Sequence, residues 1–526
     1  MTSPLAGTGL LARVALRTGW RPAAAWVIGL SVLFLATGVS IASLYDTPAK
    51  RATYSASLGD TMVMLTGRVA GLDTLGGIVM NEFASLVSFG IPIMAIALTV
   101  GVTRREEESG RSELMLSARV ARLAPVTAAL VVVVGIFLLL GLALWAATFA
   151  LDIDRTGAVL YVASIAATGG VYAAGAAVLA QVFAHSRTVW AVGLAIAGLT
   201  LVTRGIGDTR GTALGWASPL GWHTLVRPFG DPSVGPLLLS VAVAGSLGAL
   251  AVWLAGRRDV GEGMIPTGSG PAHASRWRAS RTGAAVHQHL GALIGWTVGV
   301  VALMGLYGSL MTVVVDAIES NPDLAVFLGG SGAVVDSVVR MLVAFTGFLG
   351  AGFVLQTLGG LRGEETSARL EVELAGERTR LSWLAGHAVV AAVGATVVVA
   401  AGSLAFAATT AAALDDPGTF GSIVGAGLWQ LPAVLAFAAL SVGLFGLAPR
   451  LQTLAWVVFV VAVVVTFMGP TLRLTDAQMR FSPFGAVGTP PAGPVDTAGV
   501  VVLLAVTAVL VTAGLVGFRR RDVPRT

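Results

Sequence analysis

Twelve apolar stretches, each about as long as a bilayer-spanning helix, constrain this chain more than any other feature. A spanning helix needs about 20 consecutive apolar residues. The stretches lie at roughly residues 24–45, 82–102, 124–151, 158–183, 188–203, 237–255, 290–315, 336–360, 382–410, 421–446, 452–469 and 498–517. Only 12% of the residues are charged, against roughly 25% in a soluble domain. The sequence therefore predicts an all-α polytopic membrane protein and excludes an ordinary soluble enzyme.

The distribution of lysine and arginine predicts which side of the membrane each loop faces. Cytosolic loops carry an excess of these residues. If the N-terminus is cytosolic, 23 of the 33 basic residues fall in cytosolic segments and 10 in outer segments. We therefore expect a multi-pass protein of the plasma (cytoplasmic) membrane with both termini in the cytosol.

A basic stripe precedes the first apolar stretch. Arg13, Arg17 and Arg21 recur every four residues between apolar side chains. This spacing predicts an amphipathic elbow helix, at about residues 5–21, that lies in the membrane interface. No small-x-small cleavage site follows, which disfavours a secretory signal, and a disordered basic tail is the alternative.

The chain lacks the residues that several kinds of catalysis and metal binding require. The chain has no cysteine, and its six histidines form no HExxH pattern. Its one lysine, Lys50, precedes Arg51, whereas a Walker A loop needs lysine followed by serine or threonine. We therefore expect no catalytic residue, no metal site and no bound cofactor, and any ATP must be hydrolysed by another chain.

The chain contains an internal repeat. The segment Glu106-Glu107-Glu108-Ser109-Gly110-Arg111-Ser112-Glu113 aligns without a gap to Glu364-Glu365-Thr366-Ser367-Ala368-Arg369-Leu370-Glu371, at an offset of 258 residues. Ser218-Pro219-Leu220-Gly221 recurs as Ser482-Pro483-Phe484-Gly485, and Arg257-Arg258-Asp259-Val260 recurs as Arg520-Arg521-Asp522-Val523. Matches that share one order and nearly one offset indicate a tandem duplication.

The repeat divides the chain into two halves of six spans. An even number of spans gives both halves the same orientation, so they form a parallel repeat. We predict a first transmembrane half at residues 1–260 and a second at residues 276–526. Residues 261–275 are rich in glycine, proline and serine, and are therefore predicted to be a cytosolic linker.

A charged segment at residues 104–122 recurs at residues 362–380. Glu107 and Arg111 are four residues apart, as are Glu365 and Arg369, and this spacing predicts paired side chains on a short amphipathic helix. Such a helix either rests on lipid headgroups or docks a soluble partner. Two copies that face one compartment favour a symmetric, dimeric partner.

These motifs resemble a known family. The glutamate-rich stretch followed by Ser-Gly-Arg-Ser-Glu-Leu-Met-Leu resembles the first cytosolic loop of ABC-2-type export permeases, which forms a coupling helix. The closing Arg-Arg-Asp-Val and the fusion of two six-span halves resemble actinobacterial permeases that export polyketide antibiotics and other drugs. The second copy departs from the loop motif at Ala368 and Leu370, which puts an equal role for that copy in doubt.

The resemblance implies partners and functional residues. A separate ABC ATPase subunit, as a dimer, would use ATP and Mg²⁺, and the cargo would be a small hydrophobic compound; no nucleic acid is implied. The ATPase would contact Glu107, Glu108, Arg111 and Glu113, and their counterparts Glu364, Glu365, Arg369 and Glu371. The second and fifth spans would line the path, which would include Phe89, Met94, Trp190, Phe345 and Trp456.

Two further sets of charged residues have two interpretations each. Glu82 and Arg340 lie 258 residues apart and carry opposite charges, so they either pair at the outer mouth or are independent interfacial charges. Asp152 and Asp154 resemble the metal-binding acidic pair of a membrane glycosyltransferase, or they cap a solvated loop.

The sequence best supports an ATP-driven permease that exports hydrophobic compounds. The main alternative is a proton-coupled twelve-span secondary transporter. That mechanism needs ionisable residues inside the membrane, and the apolar stretches contain almost none. A membrane glycosyltransferase is the third interpretation.

Overall fold

The computed structural model describes most of the chain. The described residues are 4–57, 63, 66–111, 120–259, 261–266, 273, 275, 277, 280–312, 315, 331–366, 369–375, 379–468, 474–491 and 493–522. They are mostly helical, and their β structure is an isolated antiparallel bridge between Gly488 and Val495. Their contacts divide the chain into two compact units, Met1–Gly270 and Pro271–Thr526.

The first unit contains nine α-helices among its described residues. They are α1 (Thr8–Leu44), α2 (Pro48–Ser57), α3 (Leu75–Val102), α4 (Arg104–Glu108), α5 (Ala124–Ala147), α6 (Arg155–Val182), α7 (Ser186–Arg210), α8 (Pro219–Leu225) and α9 (Gly235–Ala255). Short 3₁₀ turns at Thr148–Ala150 and Ala213–Ala217 follow α5 and α7.

The second unit contains eleven α-helices among its described residues. They are α10 (Arg281–Ser309), α11 (Ser331–Gly359), α12 (Leu361–Thr366), α13 (Arg369–Leu374), α14 (Arg380–Ala413), α15 (Gly418–Leu428), α16 (Leu431–Leu447), α17 (Leu454–Met468), α18 (Asp476–Met479), α19 (Pro483–Ala486) and α20 (Thr497–Arg520). A 3₁₀ turn at Pro449–Leu451 precedes α17.

The all-α polytopic class is confirmed. Eleven helical segments of the described chain are long and apolar enough to cross a membrane. The eleventh predicted span, residues 452–469, forms only the shorter apolar helix α17 of 15 residues. The tenth span is divided into α15 and α16, and Pro432, which lacks the amide hydrogen that a continuous helix needs, lies at the start of α16.

The N-terminal helix differs from the expected elbow. Residues 5–21 do not form a helix separate from the first span, because α1 runs without a break from Thr8 to Leu44 and contains Pro22. Its 37 residues extend about 55 Å, whereas the hydrocarbon core is about 30 Å thick. The part that carries Arg13, Arg17 and Arg21 can therefore continue beyond the apolar span, and these side chains are exposed.

Aromatic side chains and close helix contacts form the interiors of the two units. In the first unit, Phe34 of α1 packs edge-on against Phe83 of α3 with ring centroids 5.2 Å apart. In the second unit, a Cβ atom added at Gly446 of α16 would lie 1.9 Å from the carbonyl oxygen of Gly514 on α20. These two helix backbones touch, which is typical of membrane helices that pack through small residues.

Candidate functional site

The charged segment at the end of α3 is anchored inside the first unit. Arg104, the first residue of α4, is fully buried. Its Nη1 donates to Glu107 Oε2 at 2.7 Å and its Nη2 donates to the carbonyl oxygen of Glu262 at 2.7 Å. Its Nε donates to the carbonyl oxygen of Ala180, near the end of α6. The segment is thus held against α6 and the residues that follow α9.

Glu107 also binds the arginine that follows the last span of this unit. Arg258 Nη2 donates to Glu107 Oε1 at 2.5 Å and Arg258 Nη1 donates to Oε2 at 3.1 Å. Arg258 Nε donates to Gln181 Oε1 at 2.7 Å. The exposed side-chain fractions are 0% for Arg104, 12% for Glu107 and 6% for Arg258. We call these three residues the Glu107 clamp, because they join the ends of α3, α6 and α9.

The second unit contains a corresponding arrangement, the Glu365 clamp, formed by Glu365 and Arg521. Arg521 Nη1 and Nη2 donate to the two carboxylate oxygens of Glu365 at 2.6 and 3.0 Å. In each unit another arginine binds the carbonyl oxygen of the clamp arginine: Arg122 donates to that of Arg258, and Arg380 to that of Arg521. Each Arg-Arg-Asp motif therefore secures a charged segment to the end of a final span.

The expected pairing of Glu107 with Arg111, and of Glu365 with Arg369, is wrong. Arg111 instead binds Glu106, with both hydrogen bonds at 2.8 Å, and Arg369 binds Glu364 at 2.9 Å. The helix α4 ends at Glu108, so Arg111 does not lie one helical turn beyond Glu107. Gly110, with φ of 73°, then turns the chain back toward Glu106.

The remaining predicted contact residues differ in exposure. Glu108 is exposed, and its carboxylate accepts hydrogen bonds from the amide and hydroxyl of Ser186 at 2.7 Å, at the start of α7. Glu371 on α13 is half-buried, and Glu113 lies outside the described residues. The sequence analysis placed Glu107 and Glu365 on a docking face. Because both face inward, they are not part of an open docking face.

The roles of Arg104, Arg258 and Arg521 were missed from the sequence. The recurrence of Arg-Arg-Asp-Val at the end of both halves was a usable signal, since it accompanies the recurrence of the glutamate motif. A pair of opposite charges repeated in both halves favours a salt bridge within each half.

The second recurring motif, Ser-Pro-x-Gly, follows the fifth span of each half, α7 or α17. It lies beyond the end of that span that is farther from the clamp. Ser218 Oγ donates to the carbonyl oxygen of Thr200 at 2.7 Å, and Ser482 Oγ donates to that of Ala462 at 3.0 Å. The glycine of each motif, Gly221 or Gly485, lies so close to a preceding carbonyl oxygen that a Cβ atom would sit 2.0 or 2.2 Å from it. The motif therefore packs a short helix against the fifth span in each unit.

The expectation that ionisable residues are nearly absent from the interior is wrong for the described residues. In the first unit Arg204 and Asp208 on α7 are buried, and Arg204 Nη1 donates to Ser88 Oγ at 2.8 Å. In the second unit His289 and His387 are buried with their ring nitrogens 2.9 Å apart. Arg204 looked like a loop residue because the apolar stretch ends at residue 203, but α7 continues to Arg210.

His223 on α8 extends the buried polar group around Arg204. Its Nδ1 lies 2.8 Å from Ser164 Oγ. Its Nε2 is buried without a hydrogen-bond partner in the part of the chain that the structure describes. Burial, together with the positive charge of Arg204, lowers the pKa of His223 to about 3. The folded protein therefore keeps this imidazole neutral.

We expect His223 to make stability depend on pH. The unfolded chain takes up a proton at His223 below about pH 6.5, but the folded chain does so only near pH 3, so stability falls as pH drops between these values. At pH 5 the loss attributable to His223 is about 2 kcal/mol. Unfolding of the wild type and of His223→Gln, compared at neutral pH and at pH 5, measures it. An equal pH effect in the two proteins would contradict this prediction.

The five predicted path residues do not share one environment. Phe89 and Trp456 are exposed, and Trp190 is half-buried. Met94 is fully buried in the core of the first unit, so its side chain has no open surface. Phe345 packs against Phe348, with ring centroids 5.5 Å apart. The lining of a path therefore stays a prediction.

Two of the other four candidate charges, Glu82 and Asp154, make local hydrogen bonds. Glu82 accepts a hydrogen bond from the Tyr54 hydroxyl at 2.5 Å within the first unit, and Arg340 lies on α11 of the second unit. Asp154 caps α6 by accepting a hydrogen bond from the Gly157 amide, as its loop-cap interpretation predicts, while Asp152 is exposed. Among the described residues, no group of three or more histidine, aspartate or glutamate side chains could hold a metal.

Comparison with known proteins identifies the family. The family model described as "Multidrug efflux system permease Rv1217c, C-terminal domain" matches residues 279–519. The multidrug efflux system permease protein Rv1217c of Mycobacterium tuberculosis (strain ATCC 25618 / H37Rv) is 34% identical over 532 aligned positions. The alignment covers 99% of this chain and 96% of that protein. This chain therefore belongs to the family of multidrug efflux permeases that includes Rv1217c.

Proposed function

We propose that this chain is the membrane-spanning permease subunit of an ATP-driven, ABC-2-type exporter. It moves small hydrophobic compounds, such as antibiotics or drugs, from the cytosol to the outside. The full-length similarity to a protein named as a multidrug efflux permease supports export of drugs. The missing Walker A lysine supports an energy source on another chain, a P-loop ATPase that acts as a dimer.

The presence of a clamp in each unit carries this proposal. A soluble ATPase can move the pore only if its motion reaches the membrane helices. The Glu107 clamp ties the charged segment to α6 through hydrogen bonds and to the end of α9 through a buried ion pair, and the Glu365 clamp ties its counterpart to the end of α20. Two such segments at the predicted cytosolic end suit a dimeric ATPase.

In this arrangement one set of side chains contacts the ATPase and another set transmits its motion to the membrane helices. The more exposed groups, Glu108 and the pairs Glu106–Arg111 and Glu364–Arg369, present charge to the ATPase. Glu107 and Glu365 face inward and hold the segment to the helices. A push on the exposed groups is therefore passed through each clamp to the last span of that half.

A proton-coupled secondary transporter remains the second candidate, and the structure gives it a specific basis. Arg204, Asp208 and the pair His289–His387 are buried ionisable residues of membrane-spanning helices, which often mark proton or ion pathways. The glycosyltransferase interpretation has no comparable support, because Asp154 already serves as a helix cap.

We expect drug transport to require ATP and to survive collapse of the proton gradient. The measurement is uptake of a fluorescent hydrophobic drug into everted membrane vesicles that contain this chain and its ATPase. An uncoupler at constant ATP should leave uptake unchanged, and inactivation of the ATPase Walker A lysine should abolish it. Loss of uptake with the uncoupler alone would instead favour the proton-coupled transporter.

A further inference from the structure

The predicted linker between the halves is bound to the first unit where it begins. The amide of Met264 donates to the carbonyl oxygen of Gln181 at 3.0 Å, and the amide of Ile265 donates to that of Val182 at 3.0 Å. Both acceptors belong to the last turn of α6. We call residues 262–265 the strap, because they lie across the end of α6 instead of forming a free connection.

The strap also contacts the Glu107 clamp. The carbonyl oxygen of Glu262 accepts hydrogen bonds from Arg104 Nη2 at 2.7 Å and from Arg258 Nη1 at 2.9 Å. Both arginines are buried, so each of their donors needs a partner inside the protein. The strap therefore completes the binding of two of the three clamp residues.

The end of α6 explains why a strap is needed there. The last four carbonyl oxygens of a helix have no partner within it. In α6, the carbonyl oxygen of Leu179 accepts from the amide of Phe183, and that of Ala180 accepts from Arg104 Nε. The strap supplies the partners of the remaining two. The charged segment and the strap together thus cap α6, and the arginines lie at the negative end of its dipole.

The strap is bound through its main chain. A Cβ atom added at Gly263 would lie 2.7 Å from both the amide nitrogen of Ala184 and the carbonyl oxygen of Val182, which are backbone atoms. The side chains of Met264 and Ile265 are 44% and 54% exposed. Because the side chains make little contact, the composition of this stretch resembled that of a free linker.

The second unit shows how specific this arrangement is to the first. Arg362 corresponds to Arg104 in the repeat, but it is half-buried, and its Nη1 lies 3.5 Å from the carbonyl oxygen of Arg450. Arg104 is fully buried and joins the charged segment to α6 and to the strap. We therefore expect a role for the strap in the first half.

We propose that the strap residues are positioning residues for transport, because they hold α6 to the charged segment. Displacement of the charged segment by the ATPase then moves α6 together with the end of α9. This inference rests on the proposed function, since it requires an ATPase that moves the charged segment. If the strap is released, α6 loses two backbone hydrogen bonds at this end, and ATP hydrolysis moves the helix less.

Met264→Pro, with Met264→Ala as its matched control, tests this proposal in the full chain assembled with its ATPase. Proline removes the amide that binds Gln181, and its ring occupies the space of the amide hydrogen, whereas alanine keeps the amide. The measurement is drug uptake per ATP hydrolysed in the same everted vesicles. We expect a several-fold fall for proline and no change for alanine. Pull-down of the ATPase should be equal for both, because the exposed docking groups are intact.

Gly263→Val provides a second, independent release of the strap. Its control is Gly175→Val on α6, where no atom lies within 4 Å of an added Cβ atom. We expect uptake per ATP to fall for Gly263→Val alone. A strap that only stabilises the fold would instead lower the amount of assembled complex and leave uptake per ATP unchanged. That result for both Met264→Pro and Gly263→Val would overturn the proposal.

Hydrogen–deuterium exchange of the full chain in nanodiscs tests the strap without any transport assay. The Ile265 amide should exchange slowly in the wild type and in Met264→Ala, and faster in Met264→Pro, since bound amides exchange only when they open. Fast exchange in the wild type would refute the strap while leaving the export proposal intact. Conversely, wild-type uptake that does not need ATP would refute the export proposal, whereas ATP-dependent uptake that is unaltered by both strap substitutions would refute only this inference.

Discussion

Replacing Glu107 with glutamine is expected to lower the free energy of unfolding by about 3–5 kcal/mol, the range measured when one partner of a buried ion pair is removed. The carboxylate of Glu107 neutralises two arginines, Arg104 and Arg258, that have almost no contact with solvent. A neutral amide leaves both guanidinium charges buried without an opposite charge. The measurement is denaturant or thermal unfolding of the purified chain in detergent, followed by tryptophan fluorescence.

The matched control is a substitution of the neighbouring glutamate. Glu106→Gln makes the same chemical change, but its partner Arg111 is 62% exposed, and exposed ion pairs contribute only about 0–1 kcal/mol. The loss of stability for Glu365→Gln should lie between those for the other two variants, because Glu365 is 7% exposed and, within the described part of the chain, binds one arginine where Glu107 binds two. If Glu107→Gln and Glu106→Gln unfold alike, the clamp does not hold the first unit together.

Replacing Gly514 with leucine is expected to prevent α16 and α20 from packing. A Cβ atom at Gly514 would lie 2.5 Å from the carbonyl oxygen of Val442 and 2.9 Å from the Cα atom of Gly443. Both are backbone atoms, so the clash can be relieved only if a whole helix moves. Overpacking of a core typically costs about 1–3 kcal/mol, and a backbone clash belongs at or above the upper end. Unfolding in detergent and the yield of monodisperse protein measure the effect.

Gly299→Leu on α10 is the control for Gly514→Leu. No atom lies within 4 Å of a Cβ atom added there, so leucine should be tolerated. Equal yield and stability of the two variants would show that the contact between α16 and α20 does not need glycine.

The membrane topology was largely predictable because it depends on local composition. A bilayer sets the length of an apolar stretch, so nearly all the predicted spans coincide with helices of that type. The observed helix ends differ from the predicted ones where contacts with other helices, rather than local composition, determine where a helix ends. The helix α7 continues through Arg204 because that arginine finds Ser88 inside the unit, and no apolar count can detect such a partner.

The charged site was only partly predictable. The repeated glutamate motif located the segment, but helical spacing assigned the wrong partners to Arg111 and Arg369. Local spacing describes a continuous helix, and α4 ends after five residues. Arg258, one of the two partners of Glu107, is 151 residues from it in the sequence, and Arg521 is 156 residues from Glu365. Contacts at such distances depend on the packing of complete helices, which periodicity within one segment cannot reveal.

The separation of the clamp residues also sets an order of assembly on the ribosome. Glu107 cannot bind Arg258 until the sixth span of the first unit has been translated, because Arg258 follows that span. Both residues precede Gly270, where that unit ends, and about 250 residues are still to be made. At about 5–20 residues per second, the first unit has more than ten seconds to close its clamp before synthesis ends. A nascent chain that stalls before Arg258 therefore inserts with Glu107 bound to Arg104 alone, whereas one that stalls after Gly270 carries a complete clamp.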